Sequence, residues 1–139
     1  MFKQLNAAEL ILAVKNAVDL GTGVNCYDVV PRNAPAPFYY IELTSYSPQN
    51  TKNCFITQYN VNVHTICTVN ASHVKLLKML ADLEEALTDD IILPDGFQMY
   101  RQVSGGTASI FEETEANEIH AVTAFQFYVS YGYKVKEIS

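Results

Sequence analysis

Apolar residues recur at Ala7, Ile11, Val14 and Val18, at spacings of four, three and four that line one side of a helix. The spacing predicts a helix over residues 6–20. Asn6 stands where a cap is needed, Glu9 follows three positions on as in a capping box, and Gly21 and Gly23 supply the stop. The period then shortens. Tyr27-Asp28-Val29-Val30-Pro31 and Pro35-Ala36-Pro37 lead into Phe38-Tyr39-Tyr40-Ile41-Glu42-Leu43. Proline fixes its own φ and holds the preceding residue extended, so this run reads as a stiff approach to a strand over Phe38 to Tyr46. An edge position is expected there, because Pro37 has no N–H to give a ladder.

Ser47 to Asn53 is a turn cluster, and from Cys54 to Thr68 the alternation becomes cleaner. Phe55, Tyr59, Val61, Val63 and Cys67 fall on one face; Gln58, Asn60, Asn62 and His64 fall on the other. Such a strand has one side on a helix layer and one side wet or in an interface. It exceeds the usual five or six residues, so a hairpin arm projecting beyond the sheet is expected. Residues Asn70 to Leu87 form the strongest helical pattern. Asn70 or Ser72 can cap it, Leu76, Leu80, Leu83 and Leu87 make the stripe, and Val74, Leu77 and Ala81 widen it.

Thr88-Asp89-Asp90 and Pro94-Asp95-Gly96 break that pattern. Phe97 to Val103 reads as a strand, Ser104-Gly105-Gly106-Thr107 as a flexible turn, and the stretch through Glu112, Glu113, Glu115 and Glu118 as an acidic loop. The last strand covers about Ile119 to Val135, with Ala121, Phe125, Phe127, Val129, Tyr131 and Tyr133 on one face. The expected architecture is a single α+β domain over residues 1–139 in the order α-β-β-α-β-β. About four antiparallel strands carry two helices on one face.

Composition changes this picture in one respect. Charged residues make up 17 % of the chain, against roughly 25 % in an ordinary domain. Nine tyrosines and no tryptophan add amphipathic surface of the kind enriched in protein interfaces. Part of the surface is therefore expected against other subunits; the plainer alternative is a thick core under a tyrosine-rich polar skin. A net charge of −6 argues against a surface that grips nucleic acid. Lys3, Glu9, Lys15 and Asp19 interrupt the first twenty residues, so neither a signal core nor a membrane span is expected, and the chain reads as cytosolic at synthesis. Three cysteines, an odd number, fit reduced thiols.

Candidate chemistry is sparse. Cys54 and Cys67 are thirteen positions apart on one strand, which puts them on opposite faces, and His64 and Cys67 fail as paired ligands by the same parity. His64, His73 and His120 lie in different elements without ligand spacing. Glu84-Glu85 and Asp89-Asp90 read as a solvated helix end, although adjacent acids are also how carboxylate pairs look. Gly21-Thr22-Gly23 lacks the third glycine and the preceding strand of a dinucleotide fingerprint, and Ser104 to Thr107 lacks the lysine of a phosphate loop. No catalytic residue, cofactor or metal is expected.

The opening helix, Tyr27-Asp28, Pro31 and then Pro35-Ala36-Pro37-Phe38-Tyr39-Tyr40-Ile41 together resemble the tail-completion and tail-terminator proteins of long-tailed bacteriophages and prophages. The element order matches over nearly the whole chain, the residues themselves over about 26–43. One departure is the acidic segment Glu112 to Glu118, where that family often has a short glycine-containing loop. The resemblance implies a structural protein that forms a ring, commonly a hexamer, on the finished tail tube. Its partners would be itself, the tail-tube protein and the head-connector proteins, with no tight nucleic-acid binding and no membrane. It would assemble in the host cytoplasm and remain in the virion tail. Under this reading Glu112, Glu113, Glu115 and Glu118 are candidates for the ring lumen or a subunit junction. Tyr46, Gln58, Asn60 and Asn62 are candidates for a subunit interface. Two other readings stay open: a head–tail connector or neck protein, and a cytosolic, non-catalytic ligand-binding α+β domain.

Overall fold

A computed structural model of the chain describes residues 3–31, 34–68, 73–89, 91–113, 115 and 117–133. Helix α1 spans Ala7–Thr22, strand β1 Cys26–Tyr27, β2 Phe38–Pro48, β3 Cys54–Thr68, helix α2 His73–Ala86, β4 Gln98–Glu113 and β5 Glu118–Tyr133. The strands form one sheet in the spatial order β1-β2-β3-β5-β4. β1 runs parallel to β2, and every other pairing is antiparallel.

The α+β class holds, and four expectations are corrected. The sheet has five strands, not four, because β1 is too short to leave a periodic trace. The segment opened by Pro37 is at the edge only in part: β1 covers its start, with Cys26 opposite Tyr39 and Tyr27 opposite Tyr40, and among the described residues the rest of β2 has no strand on that side. No arm of β3 projects from the sheet, since β5 pairs with it from Cys54 to Thr68 and β2 flanks it over most of that length. Residues 104–107 are no turn, and the acidic stretch through Glu113 is no loop; both belong to β4, which hairpins directly into β5.

α1 begins as its sequence dictates: Asn6 accepts a hydrogen bond from the Ala8 N–H at 2.8 Å. It ends at Gly23, whose φ of 72° closes the helix without a Cβ penalty. Gly21 lies inside the helix instead of stopping it, and a Cβ built there would stand 2.6 Å from the Ala86 Cβ. Its task is to let α1 and α2 approach closely. The leucine stripe of α2 is buried as expected through Leu76, Leu80, Leu83 and Leu87. Val74, Leu77 and Ala81 do not widen it; all three are exposed, Val74 at 72 % and Leu77 at 55 %. The proposed caps Asn70 and Ser72 lie outside the described residues, as do Asp90 and Val135.

Both helices cover the same face of the sheet. The core joins Leu10, Val14 and Val18 of α1 and the α2 leucines to Tyr39, Tyr59, Val61, Val63, Phe125, Phe127 and Val129. Two tyrosines fasten the layers: Tyr39 donates to the Met79 carbonyl at 2.7 Å and Tyr59 to the Leu5 carbonyl at 2.5 Å. A buried hydroxyl with a partner adds fixed geometry to a large apolar contact. Burial raises the pKa of both phenols above the ordinary value. Cys26, also in the core, has its thiol pushed up to about 12 by burial and then by the Asp19 carboxylate.

Candidate functional site

Among the described residues, the opposite face of β2, β3 and β5 carries no helix. Register places Glu42, Asn62 and Ala124 in one row across it, Ser45, Asn60 and Gln126 in the next, and Ser47, Gln58 and Tyr128 in a third. Gln58 Nε2 donates to Asn60 Oδ1 at 2.9 Å, and Asn60 Nδ2 donates to Ser45 Oγ at 2.8 Å. The Arg101 guanidinium stands 5.7 Å from the Tyr128 ring centre at the rim. The middle of this face is thus amide-rich, with Glu42 and Arg101 at its margins. Such a surface suits broad polar contact.

Gln58, Asn60 and Asn62 therefore come together as the strand alternation predicts, but Tyr46 does not join them. The register shifts between Leu43 and Ser45, so Thr44 is an extra residue and the strand after it is turned over. Tyr46 lands opposite Tyr59 on the helix side, where the rings stack with centroids 5.7 Å apart. A bulge leaves no mark in the hydrophobic alternation, which is why sequence reasoning grouped Tyr46 with the amides.

Toward the other end of the bare face, the Tyr40 and His64 rings stack at 4.1 Å and 3°. His64 Nε2 is buried, makes no hydrogen bond and lies 3.5 Å from Glu42 Oε1. Burial, then the Glu42 charge, raises the Tyr40 phenol. One row along, His120 Nε2 sits 3.1 Å from Glu118 Oε1, with Phe111 against the ring at 5.2 Å. Residue spacing could not place these two histidines on one face; the β3–β5 register puts them in adjacent rows, with His64 opposite Val122 and His120 opposite Ile66. Among the described residues, no three His, Cys, Asp or Glu side chains converge as metal ligands.

The acidic candidates divide. Glu118 is half-buried and held by His120, whereas Glu112, Glu113 and Glu115 are exposed at the β4–β5 hairpin end. Beside the two strand residues of that group, Ile110 and Phe111 are exposed at 50 % and 44 %. Of the helix-end acids, Glu84 accepts from Ser104 Oγ at 2.7 Å and so ties α2 to β4. Asp89 lines an open groove of about 500 Å³ between α1 and the end of α2, with Ala13, Asn16, Ala17, Leu20 and Ile92.

The residues matched by known proteins span the whole of this architecture. The phage tail-terminator family model described as "Putative tail termination protein" matches residues 1–137. No curated protein matches the sequence. Among solved structures, a chain of the "Virion of native gene transfer agent (GTA) particle" superposes with a TM-score of 0.66 at 17 % identity, over 92 % of this chain and 99 % of that one. At that identity the likeness is one of fold.

Proposed function

The chain belongs to the tail-termination family, a family of structural phage-tail proteins, and from that premise we propose that it forms a closed ring that ends the tail tube and joins it to the head connector. The ring is a homo-oligomer, commonly a hexamer in proteins of this kind. It assembles in the host cytoplasm and stays in the virion tail, with the tail-tube protein below it and connector proteins above. No cofactor takes part and no residue is catalytic. The observation that carries this reading is the family match across 1–137, which spans both helices and all five strands.

Two surfaces support it. The amide face of Gln58, Asn60 and Asn62 gives polar area for neighbouring subunits, and Tyr46 offers an exposed ring on the other side of the same hairpin. The acidic end of β4–β5, through Glu112, Glu113, Glu115 and Glu118, faces the bore or a junction between subunits. DNA passes through a tail, and a lumen of cations would hold its phosphates by releasing counterions, while carboxylates keep the channel slippery. The test is a particle preparation made without this chain. Tails that overrun their normal length are the expected result. Tails of correct length that fail to join heads would instead make it a neck protein, and normal, head-bearing tails would overturn both.

A further inference from the structure

We propose that the ring is closed by a contact between unlike surfaces of two copies: the end of β4, Ile110–Glu113, seats on the outer flank of α2 formed by Val74, Leu77 and Ala81 with Lys75 and Lys78. This deepens the ring reading above and rests on it. Each side leaves apolar side chains exposed on its own subunit. Val74, Leu77 and Ala81 follow one another at spacings of three and four, so they form a second stripe beside the buried leucines, and all three are exposed. The end of β4 is exposed on both faces: Ile110 and Glu112 point to the helix side of the sheet and Phe111 and Glu113 to the other, with Phe111 only partly covered by the His120 ring.

The charges complement one another. The α2 patch is framed by Lys75 and Lys78, both exposed, and Lys75 lies in the first turn of the helix, where the dipole also favours anions. Lys78 is held by Asp82 at 3.1 Å, an exposed pair across one turn that yields readily to a new partner. The β4 patch carries Glu112 and Glu113 and no cation. Apolar residues that lie singly on a surface need no explanation, but two such patches with opposite charge on one chain fit each other. Because the patches differ and lie on different elements, the contact is heterologous. Repeated head to tail, it generates a ring where the rotation closes.

Two charge-reversed chains test this, K75E/K78E and E112K/E113K, each followed by sedimentation alone, mixed in equal amounts, and on isolated tail tubes. Each alone should self-associate about a hundredfold more weakly than the wild type, since like charges then face each other. Mixed, they should reassemble, because the acidic end of one meets the intact lysines of the other, and its acidic helix meets the reversed strand. The chain carrying all four substitutions should ring by itself. Rings that persist in both single variants, or variants that stay apart on mixing, overturn this contact and leave the ring reading standing. Intact rings of E112K/E113K with reduced DNA delivery would overturn it too, by placing the acids in the bore. A wild-type chain that remains monomeric both free and on tube ends overturns the ring and the contact together.

Discussion

β3 and β4 differ by one residue in length, 15 against 16, and occupy opposite situations in the sheet. β3 has a partner on each side and helices on one face, so its residues alternate between buried and half-buried over most of its length. β4 has β5 on one side and, among the described residues, no strand on the other, and no residue along it is fully buried. Its pairing survives three register shifts, at Met99/Arg101, Ser104/Gly106 and Thr107/Ser109. At the second, Gly106 adopts a φ of 81°. Bulges of this sort twist an edge away from further strand addition, which protects a long exposed strand from unwanted pairing. One strand is thus specified by burial, the other by hydrogen bonding to a neighbour that is itself buried. Stability resides in the first, and the second is free to serve contacts between molecules.

That contrast is broken most directly by truncating one tyrosine in each strand. Tyr59→Ala should lower unfolding stability by about 3–5 kcal/mol, the range for a buried aromatic, since it also strands the Leu5 carbonyl. Tyr100→Ala, at an exposed extra residue of β4, should stay within about 0.5 kcal/mol. Urea denaturation reads both, and similar losses would erase the distinction. On the helix layer above β3, Leu80→Ala should cost about 2–5 kcal/mol. An unchanged melting temperature would remove α2 from the core.

The covered face also carries titratable groups that the edge does not engage. Burial holds Cys26 protonated up to about 12, against an ordinary 9, and raises Tyr39 and Tyr59 as well. Above pH 9 the unfolded chain releases the thiol proton while the native chain keeps it. Stability is therefore full below pH 9 and falls between 9 and 12. Denaturant midpoints measured across that window should show the fall, and Cys26→Ala should flatten its lower part. A slope equal to the wild type in that variant would assign the whole effect to the phenols. The smallest effect sharpens the comparison from the other side: E112K/E113K should change monomer stability by no more than about 0.5 kcal/mol while it disrupts the ring. A large loss of monomer stability would mean that this end of β4 supports the fold after all.

The same contrast governs what could be read in advance. Alternation in residues 54–68 and the leucine stripe in α2 record burial directly, because a residue's face follows from its position along the element. Both were legible. β4 was read as a strand of seven residues, a turn and a loop, because Ser104-Gly105-Gly106-Thr107 looks like a turn when only neighbours in sequence are considered. In the folded chain Gly105 packs against Ala124, where an added Cβ would sit 3.4 Å from the Ala124 Cβ. The candidate site was half legible: Gln58, Asn60 and Asn62 share a face by parity, while the Thr44 bulge removes Tyr46 from their company.

By itself the sequence determined which segments are amphipathic, where α1 is capped, that the class is α+β, and that charged residues are few. These follow from short-range period and composition. Only the tertiary structure decided that β1 lines the start of β2, that His64 and His120 stand in adjacent rows of one face, and that Val74 and Leu77 are left outside the core. Each of those depends on which element lies alongside. Pairing between distant segments is set by register and by the space the helices cover, and neither quantity exists until the chain has folded.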